Sequence, residues 1–272
     1  MSHFGLLNFG IALLVTGSVS GFIAGLLGVG GGIVVVPVLY MLFPLLGVDE
    51  SVRMHLAVGT SLAVIVPTAL TSSRAHYRRG AMDAELLRSV GPAIFAGVLL
   101  GVVAGGQARG NALALVFAVV ALLVSAYMAF KREDWIIAPQ LPSGIWVRGP
   151  LGLAIGSLSV LMGIGGGTLG VPAFSAFGVP IKRAVGTGAA VGLVIGIPGC
   201  IGFVMAGWGN PALPPLSFGY VSLVGLFLIV PATIVTAPYG VRLAHHLDPV
   251  VLRRAFAVFL LLTSLKMFTS LG

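Results

Sequence analysis

Seven stretches of this chain, 5–27, 54–72, 86–105, 111–130, 183–206, 218–238 and 250–271, carry few or no charges. Each is about as long as the ~20 residues a helix needs to cross ~30 Å of hydrocarbon. Inside lipid only helices and closed barrels satisfy every backbone polar group, so the choice of folds is small. Alternating apolar and polar strand patterns are absent, which argues against a barrel. Charged residues make up 8% of the 272, against ~25% in soluble domains. The mean hydropathy is +1.11. An all-α integral membrane protein is the expectation.

A second feature organises the segments. Gly28-Val29-Gly30-Gly31-Gly32, followed by an apolar run to Pro37, returns as Gly163-Ile164-Gly165-Gly166-Gly167 with a run to Pro172, a shift of 135 residues. Ala57-Val58-Gly59-Thr60 returns as Ala184-Val185-Gly186-Thr187. Pro92, Gly101, Leu113 and Phe117 return as Pro231, Gly240, Leu252 and Phe256, each 139 residues later. One module of about half the chain is used twice. Residues 1–130 form the first repeat and 149–272 the second, each with five apolar segments, ten in all. Between them, 131–148 holds clustered charge, two prolines and two tryptophans, as a linker on the membrane surface should.

Four glycines in each cluster disfavour helix by about 1 kcal/mol apiece relative to alanine. The first two segments of each repeat are therefore expected to form a broken hairpin, with a short helix at roughly 33–43 in the first copy. Gly21-x-x-x-Gly25 and Gly97-x-x-x-Gly101-x-x-x-Gly105 set flat faces for close helix packing. The start of the chain lacks the cationic region of a signal peptide, so the first segment reads as a retained helix.

The net charge of +8 is a matter of topology rather than of nucleic-acid binding, because the cations sit in short loops and form no basic face. With five segments per repeat, the loops near 74–88, 131–148, 179–183 and 239–254 share one side and hold 12 of the 15 Lys and Arg residues. The positive-inside rule makes that side cytoplasmic. An odd number of segments inverts the second repeat and puts both termini outside, the plan of secondary transporters.

A helix that restarts within the membrane leaves its first N–H groups unpaired and its positive dipole end exposed. Two such starts facing each other would bind an anion through the backbone of Gly30, Gly31, Gly32, Gly165, Gly166 and Gly167, with hydroxyls from Thr60, Ser61, Thr168 and Thr187 beside them. Small residues also serve plain helix packing, and that reading stands beside the first. A nucleotide loop is set aside: Gly165-x-Gly167-x-x-Gly170 has no strand before it, and no Gly-Lys-Ser/Thr follows.

The paired GxGGG clusters, the proline five residues after each, the two Ala-Val-Gly-Thr elements and Gly80-Ala81-Met82-Asp83 resemble the TauE/SafE family of sulfite and organosulfonate permeases. The likeness runs from about residue 10 to 270. It implies a bacterial inner-membrane transporter of small sulfur-containing anions with no nucleotide-hydrolysing domain or other cofactor. The glycine clusters and the threonines at 60 and 187 are the positions it carries over. Gly188 stands where the first repeat has Ser61, so the two half-sites differ.

All seven carboxylates, Asp49, Glu50, Asp83, Glu85, Glu133, Asp134 and Asp248, fall in loops or at segment ends. An interior without carboxylates suits an anion pathway and gives no basis for a metal site or an Asp/Glu proton relay. His55 is the titratable candidate for coupling protons to the anion, or else it caps a helix at the interface. Lys182 and Arg183 either draw anions to the cytoplasmic mouth or follow topology alone. Lone Cys200 reads as an apolar filler, and His245-His246 as a solvated loop. No nucleophile and base are suitably spaced, so an enzyme is not expected. An uncoupled anion channel is the alternative to a transporter, and a homodimer is left open.

Overall fold

The computed structural model describes residues 3–130 and 136–269, and these fold into ten α-helices and one small hairpin. The first five are α1 (His3–Leu27), α2 (Gly32–Leu42), α3 (Glu50–Tyr77), α4 (Ala84–Gln107) and α5 (Gly110–Phe130). The second five are α6 (Ile145–Met162), α7 (Gly167–Ala176), α8 (Ile181–Ala206), α9 (Leu223–His246) and α10 (Pro249–Thr269). Seven are long and apolar enough to cross a membrane, and α10 has the length but bears Arg253, Arg254 and Lys266 near its ends. The protein is an all-α multi-pass membrane protein.

Each break falls at the glycines. Helix α1 stops where Gly28 turns left-handed (φ +67°) and donates its N–H to Ala24, and α6 stops in the same way at Gly163 (φ +64°). Glycine is the usual residue at such a helix end because it carries no Cβ. At 11 and 10 residues, α2 and α7 are about 16 and 15 Å long, too short to span. One turn of 3-10 helix at Phe43–Leu46 extends α2 and ends at Gly47 (φ +70°).

The starts of α3, α4 and α9 are set by side-chain caps. Asp49 accepts from the Ser51 N–H, Asp83 from Leu86 and Ser222 from Gly225. Helix α6 starts four residues before the apolar piece expected at 149–162, because Ile145, Trp146 and Val147 are themselves apolar and the Val147 and Arg148 N–H groups close the first turn on Gly144. The described part of the linker folds back on α7, with the Ile137 N–H donating to Ala176. Residues 131–135, including Glu133 and Asp134, lie outside the described residues.

Helix α1 packs along α9 and α4 along α6; α3 meets α8, and α5 meets α10. Helix α2 lies on α3 as α7 lies on α8. Exchanging every helix with the one five places on leaves this set of pairs unchanged. The small residues make it work: a Cβ on Gly25 would fall on the Ala237 carbonyl and one on Gly240 on that of Phe22, while Gly97 and Gly156 stand the same way against Leu153 and Ile94. Two reciprocal hydrogen bonds tie α5 to α10, from Ser125 Oγ to the Ala257 carbonyl and from Ser264 Oγ to that of Ala118, each 2.7 Å. Residues 125 and 118 thus meet 257 and 264, and the two helices run antiparallel.

Unlike the other loops, 207–222 contains a strand pair, β1 (Ser217–Phe218) and β2 (Val221–Ser222), which the sequence reading did not expect. The Gly219-Tyr220 turn between them has Gly219 at φ +54°, the glycine-first pattern that suits two-residue hairpins.

Candidate functional site

The two glycine clusters meet at the buried centre. The Gly165 N–H donates to the Val29 carbonyl at 3.1 Å, and the Ser61 hydroxyl donates to that of Gly163 at 2.7 Å. A Cβ on Gly167 would fall on the carbonyl of Gly28, and one on Gly32 on the carbonyl of Gly163. Backbone therefore touches backbone here, and glycine is what permits it. Both short helices begin at this contact, α2 with Gly31 at its N-cap and α7 with Gly166. Among the described residues, the N–H groups of Gly30, Gly31 and Ile33 on one side and of Gly166 and Gly167 on the other make no hydrogen bond. Two positive helix ends are thus brought together with unspent donors.

Of the four hydroxyls expected beside them, Thr168 is fully buried and its Oγ1 has no partner. Ser61 is engaged with Gly163, as above. Thr60 and Thr187 do something else. Thr60 Oγ1 donates to Leu56 and accepts the N–H of Ser222, the N-cap of α9 (2.8 Å). Thr187 Oγ1 accepts the N–H of Asp83, the N-cap of α4 (3.0 Å). The preceding glycines repeat the symmetry: a Cβ on Gly59 would fall on the Tyr220 carbonyl, and one on Gly186 on that of Ala81. Each Ala-Val-Gly-Thr element is thus a clamp on the residues that start a helix of the opposite half. The repetition of Gly-Thr was visible in the sequence, but its partners lie more than 100 residues away.

His55 is buried (4% exposed), with Nε2 3.1 Å from the Gly105 carbonyl and its ring stacked on Tyr220 at 5.0 Å. Lys182 donates to the His245 carbonyl at 2.9 Å, tying the start of α8 to the end of α9. Arg183 stands 4.0 Å from Asp83. Cys200 lines an apolar groove with Ala63, Val66 and Phe227. Sequence reasoning passed over Ser20, whose hydroxyl donates to the Gly31 carbonyl, and His76, whose Nε2 lies 3.1 Å from that of Gly25. The side chains of both therefore hold the first break.

Leucine at Gly31 or Gly166 is no clean test of the site. A Cβ at 31 would meet Ser20 at a φ of +79°, and one at 166 would meet Val191, so both substitutions strain the fold first.

A multi-pass helical protein whose centre joins two interrupted helices, one from each half of the chain, has the build of a membrane transporter. The chain belongs to the family described as sulfite exporter TauE/SafE, which matches residues 13–267. It is 34% identical over 262 residues to a probable membrane transporter protein of Haemophilus influenzae, covering 96% of this chain and 98% of that one. A probable membrane transporter protein of Methanocaldococcus jannaschii is 27% identical over 89% of this chain and 88% of its own. Another, YunE of Bacillus subtilis, is 28% identical over 74% and 80%. No solved structure matches the chain.

Proposed function

We propose that this membrane transporter moves a small sulfur-containing oxyanion, sulfite or an organosulfonate, across the bacterial inner membrane by secondary transport. Two inverted repeats, residues 1–130 and 149–272, rock against each other, with the 131–148 linker cytoplasmic and both termini periplasmic. The exchange symmetry of the helix pairs and the antiparallel α5–α10 contact support the inverted arrangement. The anion class is taken from the family description.

One observation carries the site: the unpaired N–H groups at the starts of α2 and α7, side by side at the centre. Gly30, Gly31, Gly32, Gly166 and Gly167 supply backbone donors to the anion, joined by Gly165 once rocking of the repeats breaks its bond to Val29 and parts the contact. Thr168 adds a hydroxyl. Ser61, Thr60 and Thr187 hold the surrounding geometry.

Thr168→Val tests the site without adding atoms. Removing a buried hydroxyl that has no partner leaves stability nearly unchanged, whereas losing one hydrogen bond to a charged ligand, worth about 1.5–3 kcal/mol, weakens binding at least tenfold. We expect the apparent Km for the transported anion to rise by that factor at unchanged Tm. An unchanged Km removes Thr168 from the site.

The function itself is tested in proteoliposomes with radiolabelled sulfite, sulfate, thiosulfate, sulfoacetate and taurine, with and without an imposed pH gradient. Saturable uptake of one sulfur anion is the expected result, and dependence on the gradient would identify the proton as coupling ion. Flux that neither saturates nor responds to pH would make the protein a channel. No flux from folded protein would remove the substrate class.

A further inference from the structure

Two clefts flank the ends of the helices assigned to the cytoplasmic side. One, about 430 Å³, is lined by Asp83, Glu85, Arg148 and Arg183, so that two carboxylates offset two guanidinium groups. The other, about 590 Å³, lies between the ends of α3 and α9 and is lined by Arg74, Arg78, Arg79 and Arg242 with Thr71 and Pro238. Among the described residues it contains no carboxylate, and none of its four arginines is ion-paired. Arg79 donates to the Ala75 carbonyl, and the guanidinium of Arg242 lies 5.5 Å from the Tyr239 ring.

Topology accounts for cations on this side, but not for their convergence. Arginines on a free surface splay into water. Here three from the first half of the chain and one from the second, all exposed, line a single concavity. Like charges that line one cleft repel one another, weakly in water and several-fold more at a protein surface. An anion relieves that repulsion for all four at once. Guanidinium groups also present paired N–H donors that match the two oxygens of an oxyanion.

The cleft also has a continuation inward. On α3, His76, Ser72, Thr68 and Ser61 follow at spacings of four, four and seven, which keeps them on one face, and Arg79 lies two residues beyond the helix end with its N–H bonded to the His76 carbonyl. His76 is 1% exposed with no partner at Nδ1, and Ser72 is fully buried with no partner at Oγ. Thr68 is bonded to Thr233 of α9 at 2.8 Å, and Ser61 reaches the glycine centre through Gly163. Two buried, unpaired polar groups in a row that joins the arginines to the centre are hard to explain as packing, since each costs about 1–3 kcal/mol.

We propose that the cleft between the ends of α3 and α9 is an oxyanion-binding site, in which Arg74, Arg78, Arg79 and Arg242 hold a sulfate-like or phosphate group. A free anion and the phosphate of an anionic lipid offer the same chemistry. On the transport reading, from which this inference follows, the free anion is the substrate at the cytoplasmic mouth.

Site-resolved modification by phenylglyoxal, read by peptide mass spectrometry, tests it on the intact wild-type protein. In delipidated detergent solution, sodium sulfate is expected to slow modification of the four cleft arginines at least fivefold relative to sodium chloride of equal ionic strength. Arg148 and Arg53 should react at unchanged rates. Protection by phosphatidylglycerol over phosphatidylcholine nanodiscs, without protection by sulfate, assigns the site to a lipid headgroup. In either case Arg242→Gln should remove the protection at Arg74, Arg78 and Arg79. Equal rates with sulfate, chloride and both lipids would overturn the proposal. The proteoliposome assay keeps the two readings apart: protection without uptake removes the transport reading and leaves the cleft, and uptake without protection does the reverse.

Discussion

Gly167→Ala is expected to leave almost no folded protein in the membrane. The added methyl would fall on the carbonyl oxygen of Gly28, with the Gly28 carbonyl carbon and the Val29 nitrogen close behind. These are backbone atoms of the opposite half, and no rotamer change moves them away. Overpacking a well-filled core costs about 1–3 kcal/mol where side chains can adjust, and more where backbone must shift. We expect a loss above about 3 kcal/mol, a large part of a typical domain's stability. Detergent-solubilised protein should elute as aggregate in fluorescence-detected size exclusion. Gly91→Ala is the control, since nothing lies within 4 Å of a Cβ there and alanine favours the helix by about 0.5–1 kcal/mol. A monodisperse Gly167→Ala protein with wild-type Tm would refute the direct contact of the two breaks.

Thr60→Val and Thr187→Val should each lower Tm, and together they should lower it by nearly the sum. Valine keeps the shape of threonine but cannot accept a hydrogen bond, so the N–H of Ser222 or of Asp83 is left unpaired. A buried donor without an acceptor costs about 1–3 kcal/mol. Ser222 is buried and Asp83 only partly so, which puts Thr60→Val at the upper end and Thr187→Val at the lower. The two clamps share no partner and sit near opposite ends of the α3–α8 pair, so their effects should add within about 0.5 kcal/mol. Thermal unfolding of both single variants and the double would check this. If Tm held and only the apparent Km changed, both threonines would belong to the substrate site instead.

Much of the fold was legible in the sequence because its strongest signals are local. A run of some twenty apolar residues is a helix in lipid whatever surrounds it, and the ten helices follow the apolar segments to within about five residues except at the end of α9, which runs eight residues past 238 and takes in His245 and His246, expected in a solvated loop. Four glycines in five residues break a helix on backbone grounds alone, and α2 begins within a residue of the expected start. The candidate site was less legible. The glycine clusters announced two helix starts, but nothing local showed that Thr60 and Thr187 hydrogen-bond to the starts of α9 and α4. Lys182 and Arg183, for which an anion lure and plain topology both stood open, lie against the His245 carbonyl and Asp83. The Gly219-Tyr220 hairpin was missed because two-residue strands have no periodicity to detect.

Chain length between charges, the positions of the glycines and the repetition of both were enough to determine a duplicated, all-helical membrane protein with two interrupted helices. These are properties of neighbouring residues and need no knowledge of what packs against what. Only the tertiary structure decided that Gly167 touches Gly28, that Thr60 and Thr187 clamp opposite halves, that Thr168 keeps an unpaired hydroxyl and that four arginines at the ends of α3 and α9 converge on one cleft. Most of these contacts join residues more than 100 positions apart, and they exist because close helix packing sets the backbone of one half against that of the other.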